Sequence, residues 1–265
     1  MRIIVLVKQV PETGAVKMDE ETGTMVRAGV EAIVNPLDLY AVEAALALKE
    51  TQGAEVTAVS MGPPAAAKAL REVIAMGVDA GVLVSDSAFA GSDTWATGYT
   101  LAAAVRRLKG ADLILCGERA TDGDTGQVGP QTASFLDLPV ATYVSSIDAV
   151  TTGHIRVSRL VEEGYEGLDI SLPALITVVK EVAEPRLPTL GGKKRARNAD
   201  IPVWTADDLD VDPGRIGLDG SPTRVVKIFR PQVARKAEMI RAEDESEAAA
   251  AAGRVVEFMT DRGLL

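Results

Sequence analysis

The sequence predicts an α/β protein in which a mostly parallel sheet is flanked by helices. Short, continuously apolar segments alternate with helical segments at least four times within the first 140 residues, which is typical of parallel α/β folds. Hydrophobic residues make up 47% of the chain and aromatic residues only 4%, so the core must be built from Val, Ile, Leu and Ala. Glycine-rich loops follow several apolar segments, as expected where strands lead into helices.

Four strands are predicted in the first half of the chain. The first and the last of them are continuously apolar, as expected for a strand buried on both faces. These strands are Ile3–Val7, Val56–Ser60, Gly81–Ser85 and Leu113–Cys116. An alanine-rich helix is predicted from Pro64 to about Met76, where Gly77 ends it, and another helix is predicted after Thr94.

The first predicted helix has the clearest start signal. Asn35 suits the N-cap, Pro36 the first helical position and acidic Asp38 the first turn. The polar stretch before it, residues 12–34, is predicted to form a small hairpin around Met25-Val26.

The loop after the fourth strand is the centre of the functional prediction. It carries glycines at 117, 123, 126 and 129, which allow backbone N–H groups to converge on an anion such as phosphate. The spacing matches neither the P-loop nor the dinucleotide fingerprint. We expect Asp122 and Asp124 to face away from a phosphate, with Arg119 available to offset their charge.

Two starts are open for the helix that follows this loop. Pro130 is suited to the first helical position after Gly129. Alternatively, Asp124 is the N-cap and Gln127 completes a capping-box spacing, in which case Pro130 forms a kink. Either start places free N–H groups between Gly123 and Gly129.

Ligands of parallel α/β sheets bind at the carboxyl ends of the strands. Four loops are predicted to meet at this edge, and two of them are longer and more polar than a connection requires. They are Lys8–Pro11, Met61–Pro63, Ser85–Thr94 and Gly117–Gly129. Their convergence favours a nucleotide site over plain turn chemistry.

The pattern changes after residue 140. Alternating segments predict a small antiparallel meander, and the apolar segment Pro173–Val179 is predicted to rejoin the main sheet. The meander segments are Ala141–Val150, Ile155–Leu160 and Gly167–Leu172. We predict a nucleotide-binding domain over residues 1–184 and a proline-punctuated C-terminal arm over residues 185–265, which is expected to lie on another subunit.

The arm ends in a predicted helix. Asp244 and Glu247 have capping-box spacing, and apolar residues recur at helical spacing at Ala252, Val255, Val256 and Met259. This helix packs either on its own domain or on a partner.

Composition excludes several classes of function. The net charge of −10 argues against nucleic acid as a partner, and no apolar run is long enough to insert into a membrane, so a cytoplasmic protein is expected. The single cysteine, Cys116, is predicted to be a small buried residue. The single histidine, His154, is predicted to lie in a surface turn, so a histidine-based triad or metal centre is not expected.

Several dispersed motifs resemble the β subunit of electron transfer flavoproteins, and they span nearly the whole chain in the family's order. They are Val34-Asn35-Pro36, Val59-Ser60-Met61-Gly62-Pro63, Ser85-Asp86-x-Ala88-Phe89-x-Gly91-x-Asp93-Thr94, Asp122-Gly123-Asp124-Thr125-x-Gln127-Val128-Gly129-Pro130 and Glu184-Pro185-Arg186-x-Pro188-x-Leu190.

The resemblance implies an adenine-nucleotide-binding fold and a heterodimer with an electron transfer flavoprotein α subunit. The loop motifs are most similar to the electron-bifurcating group, in which the β subunit binds FAD that accepts hydride from NADH. The expected acceptors are the α-subunit FAD with a flavin-dependent dehydrogenase, for example of the acyl-CoA dehydrogenase type, and a ferredoxin or flavodoxin. The alternative is a single-flavin carrier whose β subunit binds AMP structurally. Either way the isolated subunit is not expected to be an enzyme.

The resemblance also assigns roles to individual residues. Cofactor binding is expected at Leu6, Val7, Asn35, Asp38 and Met61 for the adenosine end, at Ala88, Phe89, Gly91, Asp93 and Thr94 for the flavin side, and at Asp122, Gly123, Asp124, Thr125, Gly126, Gln127, Val128 and Gly129 for the phosphates.

Leu190, in a predicted loop over Pro188–Gly192, is expected to be exposed and matches the apolar residue by which the family docks on its dehydrogenase. The bifurcating group carries arginine after Ser-Asp in the 85–94 loop, whereas this chain has Ser87. A third possibility is a nucleotide-hydrolysing or adenylate-forming enzyme of similar architecture, but the P-loop lysine is missing from the sequence.

Overall fold

A computed structural model of the chain describes residues 1–12, 17–18, 25–26, 32–226 and 239–265. Contacts divide the chain into a larger unit, Met1–Lys227, and a smaller unit, Ile228–Leu265. None of the helices in the described ranges is both long and apolar enough to cross a bilayer.

The strands of the larger unit are β1 (Arg2–Leu6), β2 (Gln9–Pro11), β3 (Lys17–Met18), β4 (Met25–Val26), β5 (Ala32–Val34), β6 (Glu55–Met61), β7 (Ala80–Val84), β8 (Leu113–Gly117), β9 (Val140–Thr151), β10 (His154–Val161), β11 (Gly164–Ser171), β12 (Ala174–Val178) and β13 (Val203–Trp204). Its helices are α1 (Pro36–Gln52), α2 (Ala67–Met76), α3 (Thr94–Arg107), α4 (Val128–Phe135), α5 (Leu190–Asn198) and α6 (Ala206–Leu209).

The main sheet confirms the predicted fold class. Within the described residues it has nine strands in the order β11-β10-β9-β12-β8-β1-β6-β7-β13. The pairs from β9 to β13 are parallel, and only β10 pairs antiparallel with its neighbours β9 and β11. The carboxyl ends of the central strands therefore share one edge of the sheet.

Both faces of the sheet are covered, as the continuous apolar strands require. Ile3 and Val5 of β1 point into a core cluster shared with α1 and α2, and Ile4 and Leu6 point into a second cluster shared with α3 and α4. This alternation follows from the two-residue period of a strand, since both sets of side chains are apolar.

The antiparallel strands were predicted correctly as strands, but the sheet they extend is the main one. β9 pairs in parallel with β12, and β10 and β11 continue outward from it. The predicted return of Pro173–Val179 to the main sheet is confirmed, because β12 lies between β9 and β8.

Part of the predicted arm belongs to the larger unit and packs on its own chain. β13 adds to the sheet beside β7, and α5 lies against α2. Arg195 Nη2 donates to the carbonyl of Ile74 at 2.7 Å, near the end of α2. Residues 185–226 thus share one structural unit with the sheet, and the functional division after residue 184 stays a prediction.

The predicted hairpin around Met25-Val26 is seen in part. Lys17–Met18 pairs antiparallel with Met25–Val26, while residues 13–16, 19–24 and 27–31 lie outside the described ranges.

The smaller unit contains helix α7 (Glu245–Asp261). Asp244 is its N-cap and accepts a hydrogen bond from the Glu247 N–H at 2.8 Å, as predicted. The Glu247 carboxylate accepts from the Glu243 N–H, so it does not close a capping box on Asp244.

Candidate functional site

The loops at the carboxyl edge of the sheet begin next to one another because backbone hydrogen bonds connect the ends of neighbouring strands. The Val7 N–H donates to the Val59 carbonyl at 2.9 Å, and the Glu118 N–H donates to the Val178 carbonyl at 3.0 Å. The loops after β1, β6, β7 and β8 therefore leave the sheet side by side, as predicted.

Asp38, in the first turn of α1, joins two of these strand ends. Its Oδ2 accepts from the Lys8 N–H at 2.8 Å, and its Oδ1 accepts from the Gly117 N–H at 3.1 Å. Gly117 has no room for a side chain, because a Cβ would lie 2.7 Å from Asp38 Oδ1 and 2.7 Å from the Leu37 carbonyl carbon. The helix start and the end of β8 are thus in direct contact.

The Asp38 carboxyl is 5% exposed. Burial raises the pKa of Asp38 to about 7, although hydrogen bonds from Lys8, Asn35 and Gly117 act in the opposite direction. Its bonds to the backbone indicate that Asp38 positions the loops.

Asn35 connects the start of α1 to the glycine-rich loop. Its Nδ2 donates to the Arg119 carbonyl at 2.9 Å, and its Oδ1 accepts from the Thr121 N–H at 3.2 Å. Asn35 occupies the predicted N-cap position of α1, but its side chain makes no cap hydrogen bond there. A fully buried amide satisfied in this way fixes the loop to the sheet edge.

The loop beyond Thr121 is exposed and turns through two left-handed residues. Asp124 has φ 54° and Gly126 has φ 64°. Asp122 pairs with Lys8 Nζ at 2.7 Å, and Asp124 pairs with Arg119 Nε at 2.9 Å. Both carboxylates are therefore offset by cations, as the sequence led us to expect for Arg119.

Helix α4 begins at Val128, with Gln127 at the N-cap position, so both predicted starts are wrong. Pro130 is the third helical residue and causes no kink, because the first-turn N–H groups of a helix have no intrahelical partner to lose. Within the described ranges, the N–H groups of Thr125, Gly126 and Gln127 donate to no protein acceptor.

The glycines of the loop serve different purposes. A Cβ on Gly129 would lie 2.7 Å from Thr177 Cγ2 and 2.8 Å from Cys116 Sγ, so Gly129 allows α4 to pack closely on the sheet. A Cβ on Gly123 would meet nothing within 4 Å, so the space beside Gly123 is open.

The 85–94 loop lies beside the glycine-rich loop. Thr94 Oγ1 donates to Gln127 Oε1 at 3.0 Å, which brings the two predicted segments together. Asp93 caps α3 by accepting from the Ala96 N–H at 3.1 Å. Ala88 and Gly91 are exposed, while the Phe89 side chain is buried in the core.

A segment that sequence reasoning missed packs against this loop. The Gly217 N–H donates to Ser92 Oγ at 3.1 Å, and the Asp93 N–H donates to Ser221 Oγ at 2.8 Å. The Thr223 N–H and hydroxyl both donate to Asp93 Oδ2, at 2.9 and 2.7 Å. These partners are more than 120 residues apart, so no local pattern indicates them.

The residues predicted for the adenosine end have different surroundings. Leu6 and Val7 are 5% and 4% exposed, and their side chains lie in the two core clusters. Met61, at the end of β6, is partly buried. Among these three, Met61 has the side chain nearest to solvent.

Tyr143, on β9, is a second residue that the sequence analysis missed. It has φ 59° inside a strand, and its hydroxyl oxygen would lie 3.6 Å from a Cβ built on Gly126. It therefore borders the glycine-rich loop at Gly126.

Leu190 is the first residue of α5, so the predicted loop over Pro188–Gly192 is wrong at its second half. Thr189 caps this helix by accepting from the Gly192 N–H at 2.9 Å. The predicted exposure of Leu190 is confirmed at 87%. Arg186 holds the preceding segment on α1 through Glu43, with Nη2 2.7 Å from Oε1.

Cys116 is placed as predicted, whereas His154 is exposed as predicted but is the first residue of strand β10 instead of a turn residue. Cys116 is buried at the end of β8, where burial raises the pKa of its thiol, so it is not a nucleophile. His154 is exposed and follows the turn that opens β10.

Comparison with known proteins identifies the family. The model of the electron transfer flavoprotein domain matches residues 22–209. The chain is 47% identical to the caffeyl-CoA reductase-Etf complex subunit CarD of Acetobacterium woodii, over 94% of this chain and 95% of the relative. It is 44% identical to the electron transfer flavoprotein subunit beta of Clostridium acetobutylicum, over 91% and 92% of the two chains.

A third relative, the acryloyl-CoA reductase electron transfer subunit gamma of Anaerotignum propionicum, is 44% identical over 87% of this chain and 89% of the relative. The relatives are electron-transfer subunits, and the matches cover nearly all of the chain. The chain belongs to the electron transfer flavoprotein family, as an electron-transfer subunit of the β type.

Proposed function

We propose that the chain binds FAD at the glycine-rich loop and, in a heterodimer with an α subunit, relays electrons from NADH by flavin-based bifurcation. The observation that carries the proposal is the open, exposed loop around Gly123 and Gly126, which is fixed to the sheet edge by Asn35 and joined to the 85–94 loop by Thr94.

The donor set of this loop fits a dinucleotide. Three neighbouring N–H groups, from Thr125 to Gln127, are available for phosphate oxygens within the described part of the chain. Asp122 and Asp124 are paired with Lys8 and Arg119, which limits their repulsion of an anion.

A bound FAD would supply the redox chemistry, which is hydride acceptance from NADH and release of single electrons. The chain would hold the phosphates with the loop from Asp122 to Gly129 and would set the flavin side with Ala88–Thr94. No side chain is required as a general acid or base. Ser87 places a neutral hydroxyl beside Asp86, at 3.3 Å, where the bifurcating group has a cation.

The alternative is AMP in place of FAD, with the β subunit acting only as a scaffold for the flavin of its partner. The nucleotides released by the denatured heterodimer, after co-expression with the α subunit, distinguish the two. Two FAD and no AMP per heterodimer is the expected result. One FAD and one AMP would contradict the proposal and identify a single-flavin carrier.

A substitution locates the bound nucleotide. Gly123→Leu projects into open space and should leave the fold intact, but it should crowd the loop and lower nucleotide occupancy. The matched control is Gly167→Leu, since a Cβ on Gly167, on strand β11, also meets nothing within 4 Å. Equal occupancy in the two variants would show that the nucleotide binds elsewhere.

Bifurcation is tested separately under anaerobic conditions. NADH should reduce a ferredoxin or flavodoxin only when the high-potential acceptor, a dehydrogenase flavin, is also present. Reduction of ferredoxin by NADH alone, or of the dehydrogenase without any ferredoxin dependence, would contradict bifurcation while leaving FAD binding intact.

The names of the relatives support the proposed partners. One relative is named as a subunit of a caffeyl-CoA reductase-Etf complex, and another as an electron transfer subunit of acryloyl-CoA reductase. We therefore expect an α subunit and a flavin-dependent dehydrogenase as partners here. Leu190 is the proposed anchor for the dehydrogenase, because an 87% exposed leucine is fixed on a capped helix.

Leu190→Ala should slow electron transfer to the dehydrogenase about tenfold or more, by loss of one buried anchor. Leu187→Ala is the control, since Leu187 is 86% exposed and lies three residues earlier. Equal effects of the two substitutions would exclude Leu190 as a specific anchor.

A further inference from the structure

Tyr143 has a backbone conformation that is unfavourable for its residue type. Its φ of 59° lies in the left-handed region, which bulky aromatic residues rarely adopt. It is also 42% exposed, so burial of the ring does not account for this conformation. Strained residues that persist in a fold are held there by their surroundings and cluster at functional sites.

A bulge in β9 holds Tyr143 in this conformation. β9 and β12 pair in register up to Ile176 and again at Val178, and the register shifts between them. Ala141 and Val144 are both fully buried on either side of the bulge. The Tyr143 N–H donates to Thr177 Oγ1 at 3.2 Å, and Thr177 is 2% exposed.

The bulge directs the phenol to the glycine-rich loop. A Cβ on Gly126 would lie 3.6 Å from the Tyr143 hydroxyl oxygen and 3.5 Å from the Glu118 carbonyl oxygen. Gly126 is next to the Thr125 and Gln127 N–H groups that have no protein acceptor in the described ranges, and the Tyr143 hydroxyl has no hydrogen-bond partner there either. The hydroxyl is thus one more unused donor at the same place.

We propose that Tyr143 is a further binding residue of this site and that its hydroxyl donates a hydrogen bond to a phosphate group of the adenine nucleotide. The inference rests on the proposed nucleotide binding but holds for either FAD or AMP. An aromatic hydroxyl on a strained bulge is pre-organised toward the loop, which reduces the entropy lost on binding.

Tyr143→Phe tests the proposal because it keeps the ring and removes only the hydroxyl. The heterodimer is stripped of its β-site nucleotide and titrated with AMP and with FAD. Loss of a hydrogen bond to a charged phosphate should weaken binding roughly tenfold or more. Tyr165→Phe is the matched control, since Tyr165 is 69% exposed on β11, and it should bind like the wild type.

Two further measurements are needed. One distinguishes weaker nucleotide binding from lower protein stability, and the other distinguishes a contact with the phosphate from a contact with the nucleoside. The thermal midpoint of the nucleotide-free Tyr143→Phe heterodimer should equal that of the wild type. Adenosine, measured by competition, should lose less affinity than AMP. An unchanged AMP affinity, or equal losses for AMP and adenosine, would overturn the assignment.

The outcomes also separate this inference from the proposed function. If the wild-type site contains AMP and Tyr143→Phe weakens AMP binding, the FAD proposal is contradicted and the phosphate-binding role of Tyr143 is supported. If two FAD are found and Tyr143→Phe binds both nucleotides like the wild type, the FAD proposal is supported and the phosphate-binding role of Tyr143 is contradicted. A site that takes up neither nucleotide overturns both.

Discussion

Asp38 is a buried carboxyl whose two oxygens accept from backbone N–H groups in distant segments, Lys8 just after β1 and Gly117 at the end of β8. The start of α1 lies so close to the end of β8 that a Cβ on Gly117 would lie 2.7 Å from Asp38 Oδ1. The hydrogen bonds stabilise the carboxylate, yet burial outweighs them and the pKa lies near 7 instead of 3.8. The site therefore contains one group that titrates near neutral pH.

The sign of the resulting pH dependence follows from the raised pKa. Between pH 3.8 and about 7 the folded state holds a proton on Asp38 that the unfolded chain has lost. The contribution of Asp38 to the free energy of unfolding is therefore complete below pH 3.8 and decreases as the pH rises to 7. It amounts to on the order of 4 kcal/mol at 1.36 kcal/mol per pKa unit.

We predict that Asp38→Asn removes this part of the pH dependence. Urea unfolding at pH 5 and pH 8 should show a smaller difference in unfolding free energy for the variant than for the wild type. Asp219→Asn, a substitution at an exposed carboxylate, should keep the wild-type difference. If the unfolding free energy of Asp38→Asn changed between pH 5 and pH 8 as much as that of the wild type, other groups would cause the pH dependence.

At the scale of the element, α4 shows how one glycine sets the distance between a helix and the sheet. Gly129 lies over Cys116 and Thr177, on two neighbouring strands. This close approach brings the start of α4 next to the ends of β8 and β12. The loop residues Thr125 to Gln127 directly precede this helix start.

We predict that Gly129→Ala destabilises the protein by roughly 1–3 kcal/mol, because the new methyl group overpacks the contact with the sheet. Gly123→Ala, in the same loop, should change the unfolding free energy by less than about 0.5 kcal/mol, since its Cβ is in open space. Urea unfolding of both variants gives the comparison, and equal costs would contradict the packing role of Gly129.

At the scale of the whole molecule, the C-terminal helix α7 of the smaller unit carries exposed apolar side chains. Val255, Val256 and Phe258 are 52%, 53% and 54% exposed. Three such residues close together on one helix are typical of a surface that a partner covers. The sequence left open whether α7 packs on its own domain or on a partner, and we predict that it packs on the partner.

We predict that the full-length chain self-associates when it is expressed without an α subunit, because these apolar residues remain exposed. A chain ending at Thr223 should be monodisperse, since the larger unit has its own core, and it should fail to co-purify with the α subunit. Light scattering and co-purification measure the two effects. A monodisperse full-length monomer would contradict this prediction.

The sequence by itself determined the strands of the parallel sheet, their separation by helices and the convergence of the loops at one edge. Continuous apolar runs and glycine punctuation are local properties, so they are readable from the chain alone. The dispersed motifs also identified the family, which the comparisons confirm.

Only the tertiary structure decided which residues hold the site together. Asn35 reads as a helix cap in the sequence, but its amide bonds to Arg119 and Thr121 more than 80 residues away. Tyr143 reads as an ordinary strand residue, and only the register shift against β12 turns it toward Gly126. Register and close approach depend on contacts between distant segments, and local periodicity carries no information about them.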